Sequence, residues 1–169
     1  MRICIYEDRH VRGLDPLTLT RPAADLLCGL TTLVEKHVRH FGATAVGHLC
    51  RPSMADLVRT RDPLAPVNDP VWLRGAPTVL VNARWVPPAC PRGATPNPFA
   101  PGPHVATAGG EVAYAVLDTG RLTAVSPATL DDCLDDWGQA LPTREVGGAV
   151  VGRPWDLIDL NPGEIARDF

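Results

Sequence analysis

Hydrophobic and polar residues along this chain fall into short blocks that have the periods of strands and helices. Residues 1–6 (MRICIY) form an apolar run typical of a buried strand. Residues 31–41 combine an apolar stripe with a Thr-x-x-Glu capping box and a following glycine, which predicts a helix. Residues 43–49 predict a second strand, and residues 54–61 predict a second helix with Ser53 as its N-cap. The alternation of strand and helix indicates a parallel sheet.

The second half of the chain continues with shorter apolar runs. Residues 77–81 (PTVLV) predict a third strand. Two runs, 105–107 and 112–117, flank a Gly-Gly pair and predict a hairpin. The remaining predicted elements are a helix over 126–141 that opens at Ser126-Pro127, a strand over 146–151, a closing helical turn over 162–168, and proline-rich connections over 62–70 and 87–103.

Together these elements predict a single α/β domain over residues 1–169. The expected architecture is a three-layer α/β/α sandwich, Rossmann-like, built around a mainly parallel sheet. A chain of this length is sufficient to bury one hydrophobic core.

Composition and charge exclude several classes of protein. The chain is 45% apolar and 21% charged with a net charge of −3, which gives no electrostatic basis for binding nucleic acid. No apolar run approaches the roughly 18 residues that cross a bilayer. The five cysteines form no Cys-x-x-Cys pair, so neither a disulfide framework nor a thiolate metal site is indicated. We expect a cytoplasmic protein with neither a nucleic-acid nor a membrane partner.

Two motifs carry most of the functional information. The first runs from Leu14 to Lys36 (LDPLTLTRPAADLLCGLTTLVEK) and follows the first strand, where open parallel sheets receive nucleotides and phosphates. The second closes the chain, with RPWDL at 153–157 followed by Asn161, Ile165 and Asp168-Phe169. A turn-rich loop of the first kind also occurs for purely structural reasons, and the residues alone leave that alternative open.

Both motifs resemble those of the sugar nucleotidyltransferase-like proteins, whose N-terminal domain is similar to the uridyltransferase domain of bifunctional N-acetylglucosamine-1-phosphate uridyltransferase/glucosamine-1-phosphate acetyltransferase. That branch typically carries LPLTxTRPxADLRxGxxTxxEK in its first loop and RPWDLxxxNxxxIxxDF at its end. The resemblance implies a reduced nucleotidyltransferase fold that transfers a nucleotidyl group from a nucleoside triphosphate to a sugar 1-phosphate with magnesium. It also implies a left-handed β-helix acyltransferase-like domain, either in the same chain or as a partner subunit.

The resemblance implies catalytic roles for two arginines of the first loop. Arg12 lies one position from the loop arginine of the family, and Arg21 precedes Pro22 much as in the family, although Ala23 replaces the lysine that should follow. A guanidinium group can contact phosphate through two hydrogen bonds. We therefore expect Arg12 and Arg21 to contact a phosphate, and a salt bridge from Arg21 to Asp25 is the structural alternative.

Further residues are expected to bind substrate from the first loop or from the turn after the third strand: Asp8, Gly13, Thr18, Asp25, Asn82 and Arg84. If the first and third strands are parallel, Asn82 and Arg84 leave the sheet beside the first loop, where they suit a sugar hydroxyl or a phosphate. The magnesium carboxylate of the family is missing from this turn, so no metal ligand is assigned. Asp8, and after it Glu7, are the nearest replacements.

The departures from the family pattern support an alternative function. The loop between Asp8 and Pro16 has a single glycine, and the expected lysine and magnesium carboxylate are absent. Loss of catalysis would leave a nucleotide-sugar binding or assembly module.

His37 and His40, three residues apart on the first helix, are interpreted as solvent-facing or packed on aromatic rings, since no third metal ligand is indicated. The base, the sugar and formation of a homo-oligomer are left open.

Overall fold

The computed structural model describes residues 1–89, 97–100 and 102–169. The strands in these ranges are β1 (Arg2–Tyr6), β2 (Leu27–Cys28), β3 (Thr31–Thr32), β4 (Ala45–Leu49), β5 (Thr78–Asn82), β6 (Trp85–Val86), β7 (His104–Ala108), β8 (Glu111–Leu117), β9 (Thr143–Glu145) and β10 (Ala149–Val150). The α-helices are α1 (Leu33–Phe41), α2 (Pro52–Arg61), α3 (Pro70–Arg74), α4 (Leu130–Ala140) and α5 (Pro154–Asp168). Short 3-10 helices cover Arg9–Leu14, Ala23–Asp25 and Arg121–Ala124.

Six of the strands form the central sheet, in the order β4-β1-β5-β8-β7-β9. Strand β1 pairs in parallel with both β4 and β5, and β9 pairs in parallel with β7. Only β8 runs against its neighbours, because it follows β7 through a tight hairpin at Gly109-Gly110, where both glycines have positive φ. The predicted mainly parallel sheet is therefore confirmed.

Helices and loops cover both faces of this sheet. Successive strand residues point to opposite faces, so Ile3 and Ile5 pack against α1 and the first loop, whereas Cys4 and Tyr6 pack on the side of α3 and α4. Helix α2 packs through a small cluster of its own around Met54. This arrangement confirms the predicted three-layer α/β/α sandwich. None of the helices in the described ranges combines the length and apolar character needed to span a bilayer.

Helix α1 forms where local sequence signals predict it. The Thr32 side chain accepts a hydrogen bond from the backbone N–H of Glu35 at 3.4 Å, and the Glu35 carboxylate accepts one from the N–H of Thr32 at 2.7 Å. Gly42 ends the helix in the left-handed region with φ of 56°. These contacts stay within a few residues of the chain, which is why the sequence alone predicts them.

Two predicted helix starts are wrong. Helix α2 begins at Pro52 rather than after a Ser53 cap, since a proline is favourable in the first turn, where its missing N–H has no intrahelical partner. Helix α4 begins at Leu130, four residues after the predicted start. Ser126 and Thr129 each accept a hydrogen bond from the backbone N–H of the other, which closes a separate turn before the helix.

The end of the chain differs most from the sequence prediction. Helix α5 runs through Pro162, which was predicted to open only a closing turn. The proline ring is exposed, and Ile158, whose carbonyl loses one helical hydrogen bond, is 71% exposed and therefore faces solvent. Of the predicted strand over 146–151, only Ala149–Val150 pairs, against β6, and β9 was not predicted. The predicted loop over 87–103 lies partly outside the described residues.

Candidate functional site

The carboxyl ends of β1 and β5 lie side by side in the middle of the sheet, where Tyr6 pairs with Asn82. From β1 the chain crosses to β4 on one side, and from β4 it returns past β1 to β5 on the other. Open α/β sheets bind ligands at the point where the connections change direction in this way. The candidate site is therefore formed by the segments that follow β1 and β5, as the sequence predicts.

A buried ion pair joins these two segments. Arg84, which follows β5, donates from Nε to Asp8 Oδ1 at 2.9 Å and from Nη2 to Asp8 Oδ2 at 2.7 Å. The side chains are 2% and 7% exposed respectively. A guanidinium and a carboxylate that face each other through two hydrogen bonds form a strong and geometrically specific contact.

The remaining donors of Arg84 also have partners in the protein. Nη1 donates to the carbonyl of Val151 at 2.9 Å, and Nη2 lies 3.2 Å from Glu111 Oε2. Burial by itself lowers the pKa of Arg84, but the hydrogen bonds and charges of Asp8 and Glu111 outweigh it and raise that pKa. Arg84 is therefore a permanent cation held against the floor of the crevice.

Asn82 completes this buried cluster. Its amide nitrogen donates to Asp8 Oδ2 and to the carbonyl of Val112, each at 2.9 Å, and its amide oxygen accepts from the backbone N–H of Arg84 at 2.9 Å. The structure thus brings Asp8, Asn82 and Arg84 together, as expected from two parallel strands. Their contact with a substrate remains a prediction, and each already uses its polar atoms within the protein.

A second ion pair anchors the first loop, and no pattern of residues in the sequence predicts it. The Glu7 carboxylate accepts from Arg51 Nε at 2.9 Å and from the backbone N–H of Ala23 at 3.0 Å. Arg51 also donates to the carbonyl of Thr18 at 2.9 Å. Because the pair links residues 44 positions apart, only the folded chain reveals that Glu7 holds the loop.

Arg12 and Arg21, the two predicted catalytic residues, lie on the surface of the first loop. Both are exposed, and neither guanidinium donates a hydrogen bond to any residue that the structure describes. Arg21 forms no salt bridge with Asp25, whose carboxylate pairs with Arg61 of α2. Burial raises the pKa of Asp25, and the charge of Arg21 is one of several that act against this larger effect. Among the residues that the structure describes, therefore, none occupies the guanidinium donors of Arg12 or Arg21.

Gly13 and Thr18, two predicted substrate-binding residues, have clear structural roles. A Cβ atom on Gly13 would lie 2.4 Å from the carbonyl oxygen of Gly152, so the loop requires glycine for close packing against the start of α5. Thr18 is fully buried and donates to Asp15 Oδ1 at 2.7 Å. Ligand contact by either residue stays a prediction.

The motifs at the two ends of the chain bind each other. Asn161 accepts from the N–H of Gly29 at 2.7 Å, and Asp168 accepts from the N–H of Leu30 at 2.9 Å. Lys36 lies 2.9 Å from carboxylate oxygens of both Asp168 and Glu164. The first motif thus docks helix α5, and much of its pattern is explained by this contact rather than by ligand binding.

The residues present do not fit a magnesium ion. Magnesium requires hard anionic oxygens with free lone pairs and octahedral geometry. Both oxygens of Asp8 accept hydrogen bonds from Arg84 or Asn82, and both oxygens of Glu7 accept from Arg51 or Ala23. In the part of the chain that the structure describes, no group of three His, Cys, Asp or Glu side chains is arranged to hold a metal.

The sheet topology and the position of the crevice define a Rossmann-like nucleotidyltransferase fold. Residues 3–169 match the sugar nucleotidyl transferase family, and the chain belongs to that family. A solved structure from Bacillus anthracis, described as a glucose-1-phosphate thymidylyltransferase in complex with a sucrose, has a similar fold with a TM-score of 0.62 and 13% identity. The match covers 100% of this chain and 97% of that one. Comparison with curated proteins finds no match.

Proposed function

We propose that this domain binds a nucleotide or a nucleotide sugar through the first loop, with Arg12 and Arg21 contacting its phosphates. The observation that carries the proposal is that both guanidinium groups are exposed and free of hydrogen bonds to the described residues, on the loop that follows β1 at the switch point. A charge-assisted bond between guanidinium and phosphate is strong and specific in direction. Membership of the sugar nucleotidyl transferase family supports this class of ligand.

Neighbouring arginines support the assignment of Arg12 and Arg21 to phosphate binding, because those neighbours are already paired with carboxylates of the protein. Four other arginines lie in the segment 7–25 or contact it, and each pairs with a carboxylate of the protein, namely Arg9 with Asp135, Arg51 with Glu7, Arg61 with Asp25 and Arg84 with Asp8. Their charge is balanced without a ligand. Arg12 and Arg21 form no salt bridge with any described residue. An anionic ligand therefore forms its strongest ion pairs of this region with them.

Binding without turnover is the form of this function that the geometry favours. Transfer of a nucleotidyl group from a nucleoside triphosphate to a sugar 1-phosphate depends on neutralising the charge of the reacting phosphates. Asp8, the nearest candidate for a metal ligand, is instead neutralised by Arg84. A binding or assembly module, working beside a left-handed β-helix acyltransferase-like domain, is consistent with the resemblance to the uridyltransferase branch.

Nucleotidyl transfer is the second candidate. The family match over residues 3–169 and the similar fold of the thymidylyltransferase favour it. A pyrophosphate-release assay with nucleoside triphosphates and sugar 1-phosphates separates the two candidates. Sustained release that disappears in Arg12→Ala and Arg21→Ala would establish turnover at the first loop.

Binding itself is tested by thermal unfolding with UTP, dTTP and UDP-sugars. A ligand at 100 times its Kd adds about 2.7 kcal/mol, which raises the Tm of a domain of this size by roughly 5 to 10 °C. Arg12→Ala and Arg21→Ala each remove about 1.5–3 kcal/mol of charge-assisted bonding, so we expect at least a tenfold higher Kd for each.

Arg144→Ala is the matched control for these variants. Arg144 is equally exposed but lies on β9, four strands from β1 and so roughly 19 Å across the sheet. Its Kd should equal that of the unaltered protein. If all three variants bind alike, or if no ligand of the panel shifts the Tm, the first loop is not a nucleotide site.

A further inference from the structure

A cation of the protein already lies at the carboxyl ends of β1 and β5. Nη2 of Arg84 lies 2.7 Å from Asp8 Oδ2 and 3.2 Å from Glu111 Oε2, so one nitrogen bridges two carboxylates. Glu111 is 49% exposed, whereas Arg84 is 2% exposed. The bridge therefore runs from the protein interior to its surface. Carboxylates arranged around one point in this way are typical ligands of a hard divalent cation.

The backbone of the site fixes this guanidinium in place. Arg84 Nη1 donates to the carbonyl of Val151 at 2.9 Å, and the backbone N–H of Arg84 donates to the Asn82 side chain at 2.9 Å. The guanidinium is thus held by three separate segments, namely Asp8 after β1, Glu111 at the start of β8 and Val151 after β10. A surface salt bridge has no such support, because its long side chains remain mobile.

We propose that the Arg84 guanidinium is a built-in cation that takes the place of a divalent metal ion in this crevice. Two consequences follow. The first consequence is that ligand binding by the domain needs no divalent cation. This consequence rests on the proposed function. Removing the guanidinium uncovers a latent divalent-cation site formed by the carboxylates of Asp8 and Glu111. This second consequence does not rest on the proposed function.

The first consequence is tested with the unaltered protein and the nucleotide that gives the largest shift in Tm. Its Kd is measured by calorimetry in 5 mM MgCl2 and again in 5 mM EDTA. The two values should agree within about twofold. A Kd at least tenfold higher in EDTA overturns the inference but leaves the proposed binding function intact.

The second consequence is tested with Mn²⁺ alone, without nucleotide. Arg84→Ala should bind Mn²⁺, seen as loss of the electron paramagnetic resonance signal of free Mn²⁺, and its Tm should rise by roughly 5 to 10 °C at 100 times Kd. The unaltered protein should show neither effect. Arg84→Lys keeps the positive charge and should also show neither.

A double variant, Asp8→Asn with Arg84→Ala, tests whether the Asp8 carboxylate coordinates the Mn²⁺ ion. It should bind Mn²⁺ at least tenfold more weakly than Arg84→Ala, because its central carboxylate is lost. Should Arg84→Ala fail to fold, Arg84→Gln replaces it, since the amide retains hydrogen-bond donors for Asp8. Absence of Mn²⁺ binding in the folded single variant, or equal binding in single and double variants, overturns the inference whatever the domain binds at its first loop.

Discussion

Replacing Lys36 with methionine is expected to lower the free energy of unfolding by about 3 to 5 kcal/mol. The ammonium group lies 2.9 Å from both Asp168 and Glu164, and the three side chains are only 4% to 7% exposed. Methionine fills similar volume but removes the one buried cation that the two carboxylates share. Only the half-exposed Arg39 and Arg167 then remain to offset them, and incompletely compensated buried charge is costly. Urea unfolding at pH 7, followed by circular dichroism, measures the change.

Arg39→Met provides a matched control for Lys36→Met. Arg39 contacts the same Asp168 at 3.2 Å, but its side chain is 54% exposed. An exposed ion pair contributes about 1 kcal/mol or less, so the control should lose far less stability than Lys36→Met. Equal losses in the two variants would contradict the assignment of Lys36 as the central cation of this network.

The same network predicts behaviour in strong acid. Burial raises the pKa of Asp168, but hydrogen bonds from Lys36, the N–H of Leu30 and Thr31 outweigh it and lower that pKa from 3.8 to about 2. The resulting stability is fully present above pH 3.8 and is lost as the pH falls toward 2. This pH range lies below the range from 6.5 to about 4 in which protonation of His37 affects stability.

Acidification from pH 6.5 to pH 4 is expected to lower the free energy of unfolding by about 3 kcal/mol through His37 alone. The ring is fully buried, its Nε2 donates to the carbonyl of Trp85 at 2.7 Å, and its Nδ1 has no hydrogen-bond partner among the described residues. Burial is the main reason that the pKa of His37 falls from 6.5 to about 4. The unfolded chain therefore takes up a proton in a pH range where the folded protein does not, which favours unfolding.

His40 and His48 act in the same direction. Burial lowers the pKa of His40 to about 4 and also lowers that of His48. The total loss of stability between pH 6.5 and 4 should therefore exceed the contribution of His37. The stacking of His37 on Trp85, with ring centroids 6.1 Å apart, confirms the interpretation that this histidine packs on an aromatic ring.

Urea titrations at pH 7, 5.5 and 4 test this prediction. His37→Phe should lower the dependence of stability on pH, although not remove it, because His40 and His48 remain. His10→Gln, which replaces a histidine exposed in the first loop, is the control for substitution of a histidine. An identical pH dependence in His37→Phe and in the unaltered protein would falsify the role given to His37.

The sequence by itself determined the features that depend on neighbouring residues. The capping box of Thr32 and Glu35, the Gly42 stop and the Gly109-Gly110 hairpin involve contacts within a few positions, so the pattern of residue types was sufficient. The alternation of strands and helices also predicted a parallel sheet, and with it the position of the crevice after β1 and β5. For these features the conformation that the local sequence favours is also the conformation found in the folded protein.

Only the tertiary structure decided how the charged residues of the site are used. Asp8 and Arg84 are 76 positions apart, and Lys36 and Asp168 are 132 apart, so no local pattern records that they pair. The same holds for Arg61, which takes the Asp25 contact that lay within reach of Arg21. Long-range packing sets which charges are buried, and burial decides whether a charged side chain is neutralised within the protein or remains available to a ligand.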